Sequence, residues 1–321
     1  MLSAASGSPV LGGARLPSAA SVGGEAVGAE PEPLSTQHSA LSTRVDYLLI
    51  GHVCLDETAD GERLGGTVAY AGLAAQRQGW RVGIVTSAAP GLDLAAHLPG
   101  IAIQRVPATA TTRFRNAYAA GARRQRLLAR AAPLGWADVP PAWRAARIVH
   151  LAPVAREVDL ALAAALAAPG RLVGATPQGW LRQWDGAGAV VASPCGDLPE
   201  RLRGVQAVAL SEEDLAAEPE AAARLAAAGP LVALTRGAQG VRLWQGAVAE
   251  DVPACPARPD DPTGAGDVFA AVWFGRLARG DSPVAAARYA ACAAACAVEQ
   301  PGLAGVPTAD EIEERLARWA A

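Results

Sequence analysis

Apolar runs of two lengths alternate from residue 147 onward, and this alternation narrows the choice of fold more than any other property of the chain. Short runs rich in Val, Leu and Ile are separated by longer runs rich in Ala, at the spacing of βα units. Strands are expected at 148–151, 171–175, 206–210 and 231–235, and a helix is expected at 158–168. The series predicts a mostly parallel sheet with helices packed on it.

Polar motifs follow three of these expected strands. They are residues 176–180 (TPQGW), 211–214 (SEED) and 235–237 (TRG). In a parallel α/β sheet, ligands gather beyond the carboxyl ends of the strands. The positions of the motifs therefore predict a binding cleft along that edge of the sheet.

A glycine-rich turn, residues 261–267 (DPTGAGD), runs directly into the apolar segment 268–274. Because glycine has no side chain, the backbone N–H groups at the start of the expected helix are accessible, and the helix dipole makes that end positive. Such a turn is an anion site. Asp267 falls in the first helical turn, where a carboxylate is stabilised in its ionised form. The anion site and the Asp267 carboxylate together suit phosphoryl transfer to a hydroxyl. The alternative is an ordinary loop with an acidic helix cap.

The composition excludes several kinds of enzyme. The chain has 321 residues and 28 basic residues, and none of these is lysine. A Walker-type phosphate loop, the phosphate-binding lysine of protein kinases and Schiff-base catalysis each require a lysine. A turn that binds anions through backbone N–H groups does not.

The net charge of −3 does not favour a nucleic-acid partner, and no apolar run reaches the roughly 18 residues needed to cross a bilayer. We therefore expect a soluble, cytoplasmic protein. The five cysteines are widely spread and predict neither a disulfide framework nor a zinc site; Cys292 and Cys296 are expected to be small core residues on one helix face. Residues 1–43, rich in Ser, Gly, Ala and Pro, are expected to form a disordered leader.

The string DPTGAGDVFAA at 261–271 resembles the C-terminal signature of the ribokinase-like carbohydrate kinases, the PfkB family. A second similarity is Gly65 with Gly66, which opens a helix-like run after a short acidic segment. The resemblance implies an α/β fold, with a doubly wound, mostly parallel sheet flanked by helices and a small β lid. It places the kinase domain at 44–321 and the lid in segments within about 52–66 and 101–130.

The resemblance also assigns roles at the glycine-rich turn. In this family the Asp of the GAGD motif activates the substrate hydroxyl, and the small residues before it form an anion hole. Carried to this chain, the base is Asp267 and the anion hole is Gly264, Ala265 and Gly266. The family further implies ATP as the phosphate donor, Mg²⁺ as a cofactor and a small sugar or polyol as the substrate.

Substrate-binding residues are expected near the first strand, at 45–50. In the family this strand leads to an Asp that binds substrate hydroxyls, which is Asp56 here, while Gly65 and Gly66 let the backbone approach the sugar. A carboxylate suits this role because it accepts hydrogen bonds from two adjacent hydroxyls. An exposed turn Asp is the alternative. Tyr70 stands where many sugar-specific members have Asn, so ring stacking and core packing are both open for it.

Donor-binding residues are expected in the motifs after the later strands. Thr235 and Gly237 resemble the loop that contacts the ATP phosphates and ribose. Ser211 and Asp214 occupy the place of the family's Asn-x-x-Glu, so Ser211 is expected in the phosphate shell and Asp214 at the magnesium. The alternative for this pair is a helix N-cap followed by acidic first-turn residues.

Two further positions bear on the donor. Asp261 and Thr263 match residues that hold a monovalent cation in some relatives, and a turn role is the alternative for them. In many relatives an Asn on the penultimate helix contacts adenine, and the corresponding residue here is Ala291. The preference for the nucleotide base is therefore less defined than phosphate binding.

The expected function is transfer of the γ-phosphate of ATP to a hydroxyl of a small sugar or sugar-like substrate. A nucleoside or inositol kinase of the same fold is the alternative, because Tyr70 and Ala291 depart from the sugar kinases. A ligand-binding or regulatory relative without catalysis is a third reading. The oligomeric state is left open, with a homodimer as one alternative.

Overall fold

The computed structural model describes residues 44–58, 61–119 and 122–320, and the expected leader at 1–43 lies outside them. The strands are β1 (Tyr47–Ile50), β2 (Cys54–Thr58), β3 (Gly61–Gly65), β4 (Val82–Ala88), β5 (Ala102–Pro107), β6 (Thr112–Ala119), β7 (Ala122–Ala129), β8 (Ile148–Leu151), β9 (Leu172–Ala175), β10 (Arg182–Trp184), β11 (Val190–Ala192), β12 (Ala207–Ser211), β13 (Leu231–Thr235), β14 (Val241–Gln245) and β15 (Val248–Val252). The α-helices are α1 (Thr67–Arg77), α2 (Leu94–His97), α3 (Ala161–Ala165), α4 (Leu198–Arg201), α5 (Ala221–Ala227), α6 (Ala265–Arg279), α7 (Pro283–Ala297) and α8 (Ala309–Ala320).

Nine strands form the central sheet in the order β15-β14-β13-β12-β9-β8-β1-β4-β5. From β13 to β5 all neighbours pair in parallel, and β14 and β15 add an antiparallel edge. The strand order runs outward in both directions from the pair β1 and β8. Ligands of such doubly wound sheets bind beyond the carboxyl ends of the strands, beside the place where the order reverses.

The central sheet is buried on both faces, as the side-chain alternation of β1 demonstrates. Tyr47 and Leu49 belong to a core shared with α1, α6 and α7. Leu48 and Ile50 point to the opposite face and join a second core with α3, α4 and α5. A parallel strand covered by helices on both sides is apolar at every position, which explains the continuous apolar run of β1.

The lid is a separate four-stranded sheet in the order β3-β2-β6-β7. The chain leaves the central sheet after β1, forms the hairpin of β2 and β3, and returns to it through α1. Strand β6 pairs in parallel with β2, and Asp56 lies directly opposite Phe114. Since side chains on paired residues point to the same face, these two residues share one face of the lid.

The predicted strands after residue 147 agree with β8, β9, β12 and β13, but the helix predicted at 158–168 is wrong at both ends. Only Ala161–Ala165 is helical. At the start of the expected helix, Val158 forms a β-bridge with Leu134 instead. The hairpin of β10 and β11 was not predicted. The range 101–130, from which lid strands were expected, also contains β5, which belongs to the central sheet.

Candidate active site

A cavity of about 680 Å³ lies between the lid and the carboxyl edge of the central sheet. Four groups of residues line it: the pocket face of the lid, the turn after β9, the ends of β12 and β13, and the start of α6. They include Cys54, Asp56, Phe114, Gln125, Thr176, Gln178, Arg182, Ser211, Asp214, Thr235, Gly237, Thr263, Gly264, Ala265, Gly266 and Asp267. The sequence motifs that follow separate strands therefore converge on one cleft.

The start of α6 forms the centre of this cleft. Gly264 is the N-cap residue and has a φ of 81°, a left-handed conformation that favours glycine. A Cβ at Gly264 would overlap the ring of Tyr70, so a glycine here also permits that ring to pack against the turn. Asp267 lies in the first helical turn, beside backbone N–H groups that have no acceptor within a helix. The geometry places a carboxylate beside the helix N-terminus at which the anion site was expected.

Asp261 holds the loop before this turn in place. Its two carboxylate oxygens accept hydrogen bonds from the backbone N–H groups of Thr263, at 2.9 Å, and Gly302, at 3.3 Å. Burial raises the pKa of this carboxyl, but the bonds from Thr263 and Gly302 and the charge of Arg63 outweigh that effect and bring the pKa below its ordinary value. Asp261 has the turn role that the sequence left open.

The pair Ser211 and Asp214 forms a reciprocal cap. The Asp214 carboxylate accepts from the backbone N–H of Ser211 at 2.8 Å and from its hydroxyl at 2.9 Å. The Ser211 hydroxyl in turn accepts from the Asp214 N–H at 3.3 Å. Both residues line the cavity, so the capping role leaves room for the expected place in the donor shell, which stays a prediction.

Two amide side chains orient Asp56 on the lid. Asn116 donates to an oxygen of Asp56 at 3.1 Å, and Gln125 donates to the Asn116 carbonyl at 2.9 Å. The other Asp56 oxygen lies where a Cβ of Gly65 would be. Gly65 therefore acts on the site by making room for the carboxylate, and it is Gly66 that lines the cavity.

The turn after β9 is fastened to the loop that follows β8. Gly179 donates its N–H to the Pro153 carbonyl at 2.9 Å, and a Cβ on Gly179 would overlap the backbone of that loop. Arg182 donates from Nη1 to the Val154 carbonyl at 3.2 Å. These contacts place Gln178 and Arg182 on the wall of the cavity.

Glu157 is buried and joins two segments that border the cavity. Its carboxylate accepts from the backbone N–H of His52, at 2.9 Å, where the chain enters the lid. It also accepts from the N–H groups of Val154 and Ala155, at 3.0 and 2.7 Å. One side chain thus ties the start of the lid to the loop that holds Arg182.

A buried histidine lies beneath the floor of the cavity. His150 is 3.0 Å from the Thr176 hydroxyl through Nε2 and 3.3 Å from the Tyr47 hydroxyl through Nδ1. Burial lowers the pKa of His150 to about 3, so the ring is neutral. Thr176 is 6% exposed and lines the cavity, and it connects this polar chain to the site.

Comparisons with known proteins agree with this arrangement. Residues 197–309 match the family described as pfkB family carbohydrate kinase. Ribokinase from Bacillus subtilis (strain 168) is 43% identical over 84 residues, which are 26% of this chain and 29% of that protein. This match thus spans less than a third of the length of the ribokinase.

Solved structures extend the likeness to most of the chain. A pyrophosphate-dependent kinase in the ribokinase family, complexed with a pyrophosphate analog and myo-inositol, has a TM-score of 0.70 at 19% identity, over 83% of this chain and 99% of that one. Ribokinase from Arabidopsis thaliana, complexed with ribose and ATP, has a TM-score of 0.67 at 19% identity, over 85% and 99%. A putative ribokinase II from E. coli with ATP and Mg²⁺ has a TM-score of 0.64 at 21% identity, over 85% and 99%.

Over residues 197–309 the chain is similar to the pfkB family of carbohydrate kinases. Its fold is the ribokinase fold expected from the sequence, with a large, mostly parallel sheet flanked by helices. The cavity brings together the expected catalytic, substrate-binding, donor-binding and magnesium residues, except Gly65, which lies behind Asp56. Asp261 and Ala291, which matched a cation position and an adenine contact, are not among its lining residues.

Further expectations concern Tyr70, a cysteine of the buried core and the membrane. Tyr70 is both core and cavity wall, being 4% exposed yet lining the cleft. His52 is a structural residue: it is buried, with Nε2 at 2.8 Å from the Ala132 carbonyl and Nδ1 at 2.7 Å from the Thr112 hydroxyl. Cys292 is a buried core residue, and its sulfur contacts that of Cys255 at 3.1 Å. In the described ranges, no helix has the length and apolarity to span a membrane.

Sequence reasoning missed several residues in and beside the cleft. Gln125 and Arg182, which line the cavity, and Asn116, which orients Asp56, were not assigned a role, and Gln178 was noted only as part of a motif after a strand. A signal was present for two of them, because Gln178 and Arg182 belong to a short segment at the carboxyl end of a parallel strand. The lid residues have no comparable signal, since their role depends on strand pairing.

Proposed function

We propose that the protein is a kinase that transfers the terminal phosphoryl group of ATP, with Mg²⁺, to a hydroxyl of a small sugar or polyol. The observation that carries the proposal is that one cavity joins Asp267 and the turn at 264–266 to Asp56 on one side and to Thr235 and Gly237 on the other. A base, an anion site and a wall that binds hydroxyls are the parts that this reaction requires.

Each residue has a defined task in this reaction. Asp56, oriented by Asn116, accepts hydrogen bonds from acceptor hydroxyls and holds the acceptor beside α6. Asp267 takes the proton of the attacking hydroxyl as its oxygen bonds to phosphorus. The N–H groups of the first turn bind the phosphoryl oxygens as their charge develops. Tyr70 covers the turn and limits the access of water to it.

The residues near Asp214 fit a magnesium ion that is held mainly through water and phosphate oxygens. Glu212, Glu213 and Asp214 line the cavity on the donor side, and one Asp214 oxygen is engaged by Ser211. Within the described part of the chain, no group of three or more His, Cys, Asp or Glu side chains is arranged as a complete metal site. When bound, Mg²⁺ supplies positive charge to the donor phosphates.

A second candidate is an inositol kinase whose donor is pyrophosphate. The neighbour with a TM-score of 0.70 is described as pyrophosphate-dependent and bound to myo-inositol, whereas the two ATP complexes described above have scores of 0.67 and 0.64. Ala291 also offers no polar group to a nucleotide base, and it is buried in the helix packing. Pyrophosphate has no nucleotide base, so it needs no contact there.

Turnover with a matrix of donors and acceptors tests both candidates. The purified protein is assayed with Mg²⁺ and either ATP, GTP or pyrophosphate, against D-ribose, D-glucitol, myo-inositol and adenosine. Transfer from ATP to a sugar or polyol supports the first candidate, and transfer from pyrophosphate alone to myo-inositol supports the second. Binding of these compounds without transfer from any donor contradicts both and favours a ligand-binding protein.

A further inference from the structure

Arg182 lines the cavity and contacts the lid. Its guanidinium carbon is 5.7 Å from the centre of the Phe114 ring, a cation–π contact with the lid. Phe114 is paired directly with Asp56 in the lid sheet, so it points to the same face. The guanidinium therefore faces the lid wall that carries the substrate-binding carboxylate.

The position of Arg182 is fixed from two sides. Nη1 is bound to the Val154 carbonyl, and the backbone before it is held by the close contact of Gly179 with that loop. Trp180, between them, donates from its indole N–H to the Val158 carbonyl at 2.9 Å. Because the segment is fastened in this way, little side-chain freedom is lost when the guanidinium binds a ligand.

The charges of Asp56 and Arg182 act on the same part of the site. The thiol of Cys54, at the start of β2, has its pKa raised first by burial and then by the charge of Asp56, while the charge of Arg182 opposes this. Cys54, Asp56 and Arg182 all line the cavity. A carboxylate and a guanidinium thus face one space from two different walls.

The two groups have complementary chemistry. A carboxylate only accepts hydrogen bonds and a guanidinium only donates them, whereas a hydroxyl does both. A hydroxyl placed between them donates to the carboxylate and accepts from the guanidinium, and each bond strengthens the other. A carboxylate group on the acceptor would bind Arg182 well but would be repelled by Asp56, by Asp267 and by the phosphates of the donor.

We infer that Arg182 is a specificity-determining residue that binds the acceptor together with Asp56, and that the acceptor is a neutral polyol. Its hydroxyls bridge the two walls, with the Phe114 ring beside them. This inference rests on the proposed function, because it names the acceptor class for the same site. It adds a residue from outside the glycine motifs and the lid.

The main test compares Arg182→Gln with a matched control. Arg115→Gln removes an exposed guanidinium that pairs with Glu57 on the opposite face of the lid. With the best neutral acceptor among myo-inositol, D-ribose and D-glucitol, Arg182→Gln is expected to raise the acceptor KM about 10- to 100-fold, as for a lost charged hydrogen bond, and to leave the donor KM within about two-fold. Arg115→Gln is expected to change neither constant.

Two further measurements distinguish the inference from other roles of Arg182. D-Glucitol and D-gluconate share a carbon chain and differ by one carboxylate, and the wild type is expected to prefer D-glucitol. In the double variant Asp56→Asn with Arg182→Gln, the increase in KM is expected to be smaller than the product of the two single increases, because both residues bind the same hydroxyls. Thermal melting of each variant reports whether it is folded.

Several results would overturn the inference. They are an unchanged acceptor KM in Arg182→Gln, a rise confined to the donor KM, a preference for D-gluconate that Arg182 supplies, or independent effects in the double variant. These failures leave phosphoryl transfer by the wild type intact. Failure of the proposed function is different, since the wild type then transfers phosphate to no acceptor; isothermal titration with the same three polyols still tests Arg182, and absence of their binding contradicts its role.

Discussion

The donor and acceptor halves of the cleft are built in different ways. The donor half consists of short segments contiguous in sequence, each at the end of a strand or the start of a helix: 211–214, 235–237 and 263–267. The acceptor half, named for the proposed reaction, combines single side chains from β2, β6, β7 and β10, including Asp56, Phe114, Gln125 and Arg182. Its geometry depends on pairing between strands that are distant in the chain.

This difference indicates that acceptor specificity can change independently of phosphate binding. In the proposed reaction, phosphate binding relies on backbone N–H groups, whose positions are fixed by the fold. Acceptor binding in that reaction relies on side chains, so a substitution in the lid or at residues 176–182 is expected to change specificity without disturbing the turn at α6. The following predictions test whether the two halves separate in this way.

The largest effect is expected for Asp267→Asn in the donor half. Loss of the general base should lower kcat by about two to four orders of magnitude, while the acceptor KM stays within a few-fold. Steady-state kinetics, with circular dichroism to verify the fold, measure both. A variant with wild-type turnover would remove Asp267 from the mechanism.

The second prediction concerns the floor shared by both halves. The folded-state pKa of His150 is about 3, below the ordinary 6.5, so the unfolded chain binds a proton more readily. The contribution of the neutral ring is complete above pH 6.5 and is lost as pH falls towards 3, by roughly 4–5 kcal/mol in total. Urea denaturation from pH 7 to 4 should show a shallower decline for His150→Leu than for the wild type. Parallel curves for the two proteins would contradict it.

The third prediction compares the two glycines that cap the ends of α6. Gly264 and Gly280 both have left-handed φ values, of 81° and 99°, but only a Cβ at Gly264 meets other atoms, those of Tyr70. Gly280→Ala should lower the free energy of unfolding by about 1–2 kcal/mol through backbone strain alone. Gly264→Ala should cost about 1–3 kcal/mol more, from overpacking, and should lower kcat at least about ten-fold. Equal losses of stability and activity in both variants would show that Tyr70 does not constrain the turn.

The donor half could be predicted from the sequence because its geometry is local. The left-handed Gly264, the first-turn Asp267 and the strand ends at Ser211 and Thr235 follow from the order of residues along the chain. The apolar runs of the central strands likewise predicted the mostly parallel sheet.

The acceptor half could not be predicted in this way. Asn116 and Gln125 reach Asp56 through the register of β2, β6 and β7, which no local pattern specifies. At the start of the helix expected at 158–168, Val158 forms a tertiary bridge with Leu134 instead. Long-range pairing, and not local propensity, decided both cases.

The fourth prediction addresses the acceptor half. Asn116→Ala removes the donor that orients Asp56, and the acceptor KM should rise about ten-fold, with a donor KM close to the wild-type value. Steady-state kinetics in which the acceptor and the donor are varied separately measure the two KM values. If the donor KM rises as much as the acceptor KM, the two halves are not independent.

The smallest effect is expected where the halves touch. Arg63 on β3 lies 3.8 Å from Asp261, in a pair that joins the lid to the loop before α6. Since the Arg63 side chain is 41% exposed, Arg63→Gln should change the free energy of unfolding by less than about 1 kcal/mol. Urea melts at low and high salt measure this. A loss of several kcal/mol would mean that the lid is held to the turn mainly by this pair.

Glu157 has a consequence for how the acceptor walls can move. The Glu157 carboxylate accepts hydrogen bonds from the N–H of His52, at the root of the lid where the chain enters it, and from the N–H groups of Val154 and Ala155. The carbonyl of Val154 accepts the hydrogen bond from Arg182. The Glu157 carboxylate therefore helps to set the distance between the Asp56 wall and the Arg182 wall. Because one carboxylate binds both segments, a displacement of the root of the lid would carry the loop under Arg182 with it, so the fold itself sets the width of the acceptor slot.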